Sequence, residues 1–189
     1  MDTREHMIVT GLKLVAEKGF ASVSVRDVTD AAGVSSGLMR HYFGSKDNFF
    51  QAIDDYIVEQ TQDWVEWVLD GKDSREIWSR TAERPENVPL FRKYDKWVTV
   101  ERPEAAAINL ERTWTAIEKM VENMEEAGEI AEDVDRFWLK VLLLLIASAS
   151  HLFDDFIERK LGKSPYDLDT RNASFAATMR ILEHGFKDS

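Results

Sequence analysis

Chain breakers are rare in this sequence, and where they stand limits what it can fold into. Its 189 residues include four prolines and nine glycines, and between them apolar residues recur every third or fourth position. That period belongs to an amphipathic helix, whereas a half-buried strand alternates apolar and polar residues. No run alternates for long enough to suggest a sheet, so an all-α fold is expected. With 44% hydrophobic and 31% charged residues and no low-complexity tract, the chain should pack rather than remain disordered. Its length suits one ordinary domain, or a small module sharing its helices with a larger one.

The helices can be placed one by one. The first should run from about Thr3 to Lys18, with Ile8, Leu12, Val15 and Ala16 on one stripe, Gly19 as its stop and Phe20 turning back to the core. Ser24 and Asp27 have capping-box spacing and open a short helix through Ala32, with Val25, Val28 and Ala32 inward. Gly33 ends it, and Ser35 can cap another short helix from Ser36 to about Tyr42. Gly44 and Ser45 break the chain again before a long helix from about Lys46 to Leu69, with Ile53, Ile57, Gln60, Trp64 and Trp67 or Val68 on one face. A turn at 70–73, a helix over 74–83 and a break at Pro85 follow. Further helices should span Val88 to Glu101 and Pro103 to Ala127, the latter carrying Leu110, Trp114, Ile117, Val121 and Met124 and ending at Gly128.

The last two helices, about Asp133 to Leu161 and Leu168 to Phe186, have a different composition. Residues 141–146 read VLLLLI, apolar all the way round, and must be covered on every side. Phe175, Met179, Leu182 and Phe186 line the final helix beside the small residues Ala173, Ser174, Ala176 and Ala177. Together the pair resembles half of a four-helix bundle completed by a second subunit, which predicts a homodimer through these two helices. The other reading is that both cover the core of one protomer.

The absence of cysteine excludes disulfides, thiolate catalysis and cysteine-ligated zinc, and fits a reducing compartment. No secretory segment or membrane-length apolar run is evident, so a cytoplasmic location without membrane contact is expected. A net charge of -11 argues against nucleic-acid binding unless the charge is unevenly distributed. It is uneven. Residues 1–48 balance six cations (Arg4, Lys13, Lys18, Arg26, Arg40, Lys46) against six acids, and the whole deficit falls on residues 49–189. A neutral head on an acidic body can approach DNA.

Two short helices joined by a glycine turn form a unit that fits the major groove, provided the second helix buries one face and leaves the other polar. Met39 and Phe43 can face inward, leaving Ser36, Gly37, Leu38, Arg40, His41 and Tyr42 toward DNA. The run from Gly19 to Lys46, GFASVSVRDVTDAAGVSSGLMRHYFGSK, resembles the N-terminal signature of TetR (tetracycline-repressor-like) regulators. The match lies in the Gly-Phe after the first helix, the Ala-Gly-Val-Ser turn and the aromatic-Phe-Gly-Ser-Lys closure. The resemblance covers about 45 residues; beyond it only helix number and lengths agree.

What the resemblance implies is an Ω-shaped dimer of nine-helix subunits: helices one to three bind DNA, four to seven hold a ligand cavity, and eight and nine dimerise. It divides the chain into a DNA-binding domain, 1–46, and a ligand-binding and dimerisation domain, 47–189. Tyr42 and Lys46 match phosphate-gripping positions; Ser36, Gly37, Leu38 and His41 match the reading face. Arg26 and Ser35 complete the DNA-binding set. Arg40 departs from the pattern where an aromatic residue is frequent, Ser36 where lysine is common, and Thr29 where alanine is. Chemically, the planar fork of Arg40 suits guanine O6 and N7, although a phosphate contact is also open to it. Lys46 adds charge to a helix N-terminus that already favours an anion.

In the body, Trp64, Trp67, Trp78, Phe91, Tyr94, Trp97, Trp114, Ile117, Met120 and His151 are candidates to line a cavity for a hydrophobic or aromatic effector. Each suits a core equally well. Glu111, Glu118 and Glu122 share a helix with Trp114 and would allow a lipophilic cation, although a solvated face explains them better. His151, Asp154 and Asp155 have helical spacing that could gather a metal, but a lone cluster of this kind is ordinarily a surface or interface feature, and neither metal nor cofactor is expected. No HExxH, phosphate loop or nucleophile elbow nominates an enzyme. The expectation is a sequence-specific DNA-binding repressor, released from a palindromic operator by a small effector. The alternative is a dimeric helical ligand-binding or interaction protein without DNA binding.

Overall fold

The computed structural model describes residues 2–69, 87–148 and 150–185, without the side chains of 62–69, 87, 88, 150, 168, 171, 175, 179 and 182–185. Its described residues form nine α-helices and no strand: α1 Thr3–Lys18, α2 Val25–Ala32, α3 Ser36–Phe43, α4 Lys46–Leu69, α5 Asn87–Glu101, α6 Pro103–Glu126, α7 Arg136–Ser148, α8 Asp154–Leu161 and α9 Leu168–Gly185. The expected turn at 70–73, the helix at 74–83 and the end at Phe186 lie outside the described residues, as do the side chains of Trp64, Trp67, Phe175, Met179 and Leu182.

The chain divides into two compact units, Met1–Asp63 with Glu86–Ala106 and Trp64–Pro85 with Ala107–Ser189. The first is larger than the head delimited in the sequence, because the buried stripe of α1 needs α5 as a cover. Tyr94 and Val98 of α5 are each 1% exposed and join Met7, Leu12, Val15, Phe20, Val28, Phe49 and Ile53 in one core. Phe20 meets Phe50 and Tyr94 edge-on, at 5.0 and 5.2 Å. Gly11 lets α1 close on α4: a Cβ there would lie 2.4 Å from Cζ of Phe49.

The second unit has a smaller core of Ile117, Val121, Ile130, Leu139 and Leu143, with Met120, Met124, Val134 and Leu144 packed against it. The single helix expected over Asp133 to Leu161 is instead α7, a 3-10 turn at Ser150–Phe153 and α8. The segments on either side of the break are bent by 45°. Asp135 sets the start of α7 by accepting the N–H groups of Phe137 and Trp138 at 2.9 and 3.0 Å. Asp154 and Asp155 occupy the first turn of α8, where free N–H groups favour carboxylates. His151 lies in the 3-10 turn, so the three do not share one α-helical face. Among the described residues no three His, Asp or Glu gather closely enough to hold a metal ion.

Nor do the described residues cover VLLLLI on every side. Leu143 is buried, but Leu142, Leu145 and Ile146 are 49, 53 and 49% exposed, beside Phe137 and Trp138 at 56 and 61%. Among the described residues no single helix is long and apolar enough to cross a membrane.

Candidate nucleic-acid interface

The site is built by local capping. The Ser24 hydroxyl accepts the Asp27 N–H at 3.1 Å while the Asp27 carboxylate accepts the Ser24 N–H at 2.8 Å. These bonds, with the hydroxyl of Ser24 donating to the same carboxylate, hold the Asp27 pKa below its ordinary value. Gly33 ends α2 with φ 66°, the left-handed conformation that favours glycine. Ser35 then caps α3, its hydroxyl accepting the Leu38 N–H at 3.2 Å. Gly44 turns the chain at φ 74°, and Ser45 caps α4 through the Asn48 N–H at 3.1 Å. Each of these helix starts is capped by a side chain within three residues, so the boundaries of the pair are set by its own sequence.

Helix α3 divides as its function would require. Met39 and Phe43 are buried, and Leu38 is half-buried against the same core. Ser36, Gly37, Arg40, His41 and Tyr42 are exposed. Leu38 is therefore turned further inward than its place in the expected DNA-facing set implied. The His41 and Tyr42 rings meet edge-on at 5.4 Å. Lys46, half-buried, sets its ammonium 5.2 Å from the centre of the Phe50 ring at the start of α4. Arg26 is exposed on α2 and paired to Asp30 at 3.5 Å. The hydroxyl of buried Thr29 donates to the Arg26 carbonyl at 3.0 Å, so the residue in alanine's usual place leaves no unsatisfied donor.

What mounts this head was not visible in the sequence. Arg102, between α5 and α6, donates to Asp54 at 2.7 Å and lies 4.9 Å from the centre of the Phe20 ring. The Tyr94 hydroxyl donates to the other Asp54 oxygen at 2.6 Å. Burial first, and then the neighbouring Asp54 charge, push the Tyr94 pKa far above its ordinary value. Trp97 donates its indole N–H to the Ala16 carbonyl at 3.3 Å, and Glu101 accepts the Ala21 N–H at 2.8 Å. These partners stand 40 to 81 positions apart, so no local pattern announces them. Arg4, 5.4 Å from the centre of the Phe43 ring, is a further cation near α3.

The expected cavity set is divided between the two units. Phe91, Tyr94 and Trp97 pack in the head core, with Tyr94 and Trp97 engaged in the mounting just described. In the second unit, Ile117 is buried, Met120 is half-buried beside it, and Trp114 lies 5.9 Å from Phe137. Trp114 already has a cation, Lys140, at 5.6 Å, and Lys140 also pairs with Glu118 at 3.4 Å. Glu122 pairs with Lys119 at 3.3 Å, so two of the three candidate glutamates are matched within the chain. His151 is 6% exposed. Trp78 and the side chains of Trp64 and Trp67 lie outside the described residues.

The capped helix pair, its glycine turn, the polar outer face of α3 and the lysine-flanked start of α4 define a helix-turn-helix DNA-binding protein. Comparison with known proteins agrees. Residues 8–53 match the model of the bacterial regulatory proteins, tetR family. The HTH-type transcriptional regulator BetI 1 of Chromohalobacter salexigens is 23% identical over 192 residues, covering 85% of this chain and 91% of that protein. The HTH-type transcriptional repressor NemR of Escherichia coli K12 is 40% identical over 48 residues, 25% of this chain and 24% of NemR. The solved structure of Salmonella enterica GusR has the same fold, with a TM-score of 0.62 at 24% identity over 97% of this chain and 94% of that one. Residues 8–53 carry the DNA-binding region of the tetR family, and the chain is a DNA-binding transcriptional regulator. Members of the family act as dimers on DNA operators, respond to small molecules and are not enzymes.

Proposed function

We propose that this regulator is a homodimeric repressor. Its two α3 helices enter successive major grooves of a palindromic operator, on the order of 34 Å apart. The observation that carries DNA reading is the division of α3, with Met39 and Phe43 buried and Ser36, Gly37, Arg40, His41 and Tyr42 left to the groove. Tyr42 and Lys46 take phosphates at its edge. The exposed apolar set on α7 and α8, from Phe137 through Leu145 to Phe156, with Ile181 on α9, supports pairing through the last helices, since an isolated protomer would leave it in water.

A small hydrophobic or aromatic molecule is the effector that releases the operator. Trp114, Met120 and His151 are the described candidates to meet it, and Trp64, Trp67 and Trp78 remain in the set. The buried hydroxyls of Tyr166 and Thr170, without a hydrogen-bond partner among the described residues, offer places for a polar group to bond. The effector acts only through its different affinities for two states of the dimer.

The test is selection of duplexes from a random library by the purified protein, with titration of the enriched site at two salt concentrations. A palindrome is expected, bound more weakly by Tyr42→Ala and Lys46→Ala, with the salt slope reduced by about one for the lysine variant. Release of that duplex by hydrophobic or aromatic compounds, and derepression of a reporter behind it, would establish the rest. A folded dimer that enriches no sequence would favour a ligand-binding protein without DNA binding.

A further inference from the structure

We infer that Arg40 sets the operator's sequence, each half-site carrying a guanine that its guanidinium reads; the inference rests on the DNA-binding assignment above. Side chains on a helix lean toward its N-terminus, so Arg40 lies over the turn holding Ser36 and Gly37, its neighbours at i−4 and i−3. In a recognition helix the N-terminal half meets the base edges. Both neighbours are small. A Cβ added at Gly37 would meet nothing closer than the Ser35 hydroxyl at 3.7 Å, so the surface under Arg40 is open. Ser36, Gly37 and Arg40 share the wall of a groove of about 370 Å³ with Val25, Met39, Gly44, Ser45 and Lys46.

Charge separates the cations around this groove. Arg26 is held by Asp30 at 3.5 Å, and Lys46 rests over Phe50 at the N-terminus of α4, where a phosphate binds best. Arg40 is the one lysine or arginine that α3 carries, and the helix carries no acid. Among the described residues it has no ion-pair partner, and its planar pair of donors stands over Ser36 and Gly37, which are too short to compete for the same base. Guanine, with O6 and N7 both acceptors on its major-groove edge, is the base that matches such a fork.

The experiment repeats the duplex selection with Arg40→Ala and Arg40→Gln, after circular dichroism confirms that both fold. The wild type should enrich a palindrome with a fixed G in each half. Arg40→Ala should bind the same palindrome but lose the preference at that position, a fall of roughly 5- to 150-fold in discrimination. Arg40→Gln should move the preference toward adenine, whose N6 and N7 suit an amide. If Arg40→Ala keeps the wild-type preference, binds all sites uniformly more weakly and lowers the salt slope by about one, Arg40 is a phosphate contact and the inference falls. If the wild type itself enriches no site, the DNA-binding assignment falls with it, and the two failures are told apart by that control.

Discussion

The two compact units solve the same packing problem to different degrees. The head surrounds Phe20, Phe49, Phe50 and Tyr94 with buried aliphatic residues from α1 to α5 and closes its short helices with side-chain caps. The second unit buries Leu139 and Leu143 of α7 but leaves Leu142, Leu145 and Ile146, on the same helix, about half exposed. Among the described residues one core is closed and the other is not. The head closes its apolar residues within its own helices, whereas the body leaves an apolar face in water that the proposed pairing of two protomers would cover.

Charging the apolar face of α7 should have the largest effect. In a Leu142→Asp, Leu145→Asp double variant a dimer would lose four half-exposed leucines, each with roughly 1 kcal/mol of burial still to gain, and would bring four carboxylates together. The expected loss of dimerisation free energy is on the order of 10 kcal/mol, which leaves monomers with the head folded. Sedimentation equilibrium reads the mass, and operator titration should show weak binding by single heads. A variant that remains a dimer would place the interface elsewhere.

The corresponding break in the head is Phe49→Ala. Phe49 is 1% exposed and touches Phe43 and Phe50, with ring centres 4.9 and 5.9 Å away. Its removal should cost about 3–5 kcal/mol and be seen in urea unfolding. A cost below about 1 kcal/mol would mean that the head core is looser than its burial implies.

These two sites also mark how much of the molecule is legible in its sequence. Capping acts within three or four residues, so Ser24, Ser35, Ser45, Gly33 and Gly44 mark out the helix-turn-helix by their spacing alone. Apolar spacing likewise marks the stripe of α1. The partner of that stripe is not legible, because Tyr94, Trp97 and Glu101 reach it across tens of residues and a helical pattern does not say what covers it. The break after Ser148 is hidden for a different reason. It has no glycine or proline, and the run of leucines before it satisfies helical periodicity equally well on either side.

A smaller effect comes from charge inside the finished core. Burial, opposed by Arg92 and reinforced by Asp54, pushes the Asp95 carboxyl up to about 7 from an ordinary value near 3.8. The folded state therefore favours the neutral acid. Its contribution is fully present below about pH 4 and is lost as pH rises through about 7, because the unfolded chain ionises first. Asp95→Asn is neutral throughout and should gain about 2 kcal/mol over the wild type at pH 8.5, after allowing for water reaching a half-buried residue. Below pH 4 the gain should vanish. Urea midpoints at pH 3.5, 6 and 8.5 check this, and a difference independent of pH would show that Asp95 ionises as readily in the folded protein as in the unfolded one.

The smallest effect tests whether the head owes its order to local caps as well as to its core. Ser24→Ala removes the acceptor for the Asp27 N–H and the hydroxyl that donates to the Asp27 carboxylate, while Val28 beneath them stays buried. The loss should be about 1 kcal/mol, and Thr or Gly in place of Ala should restore most of it. Hydrogen exchange separates local from global consequences. Amides in the first turn of α2 should exchange faster, while those of α1 facing Tyr94 and Val98 change only by the global loss. If the whole head accelerates equally, α2 has no local stability of its own and opens only with the core, and the caps serve to set its boundaries rather than to hold it.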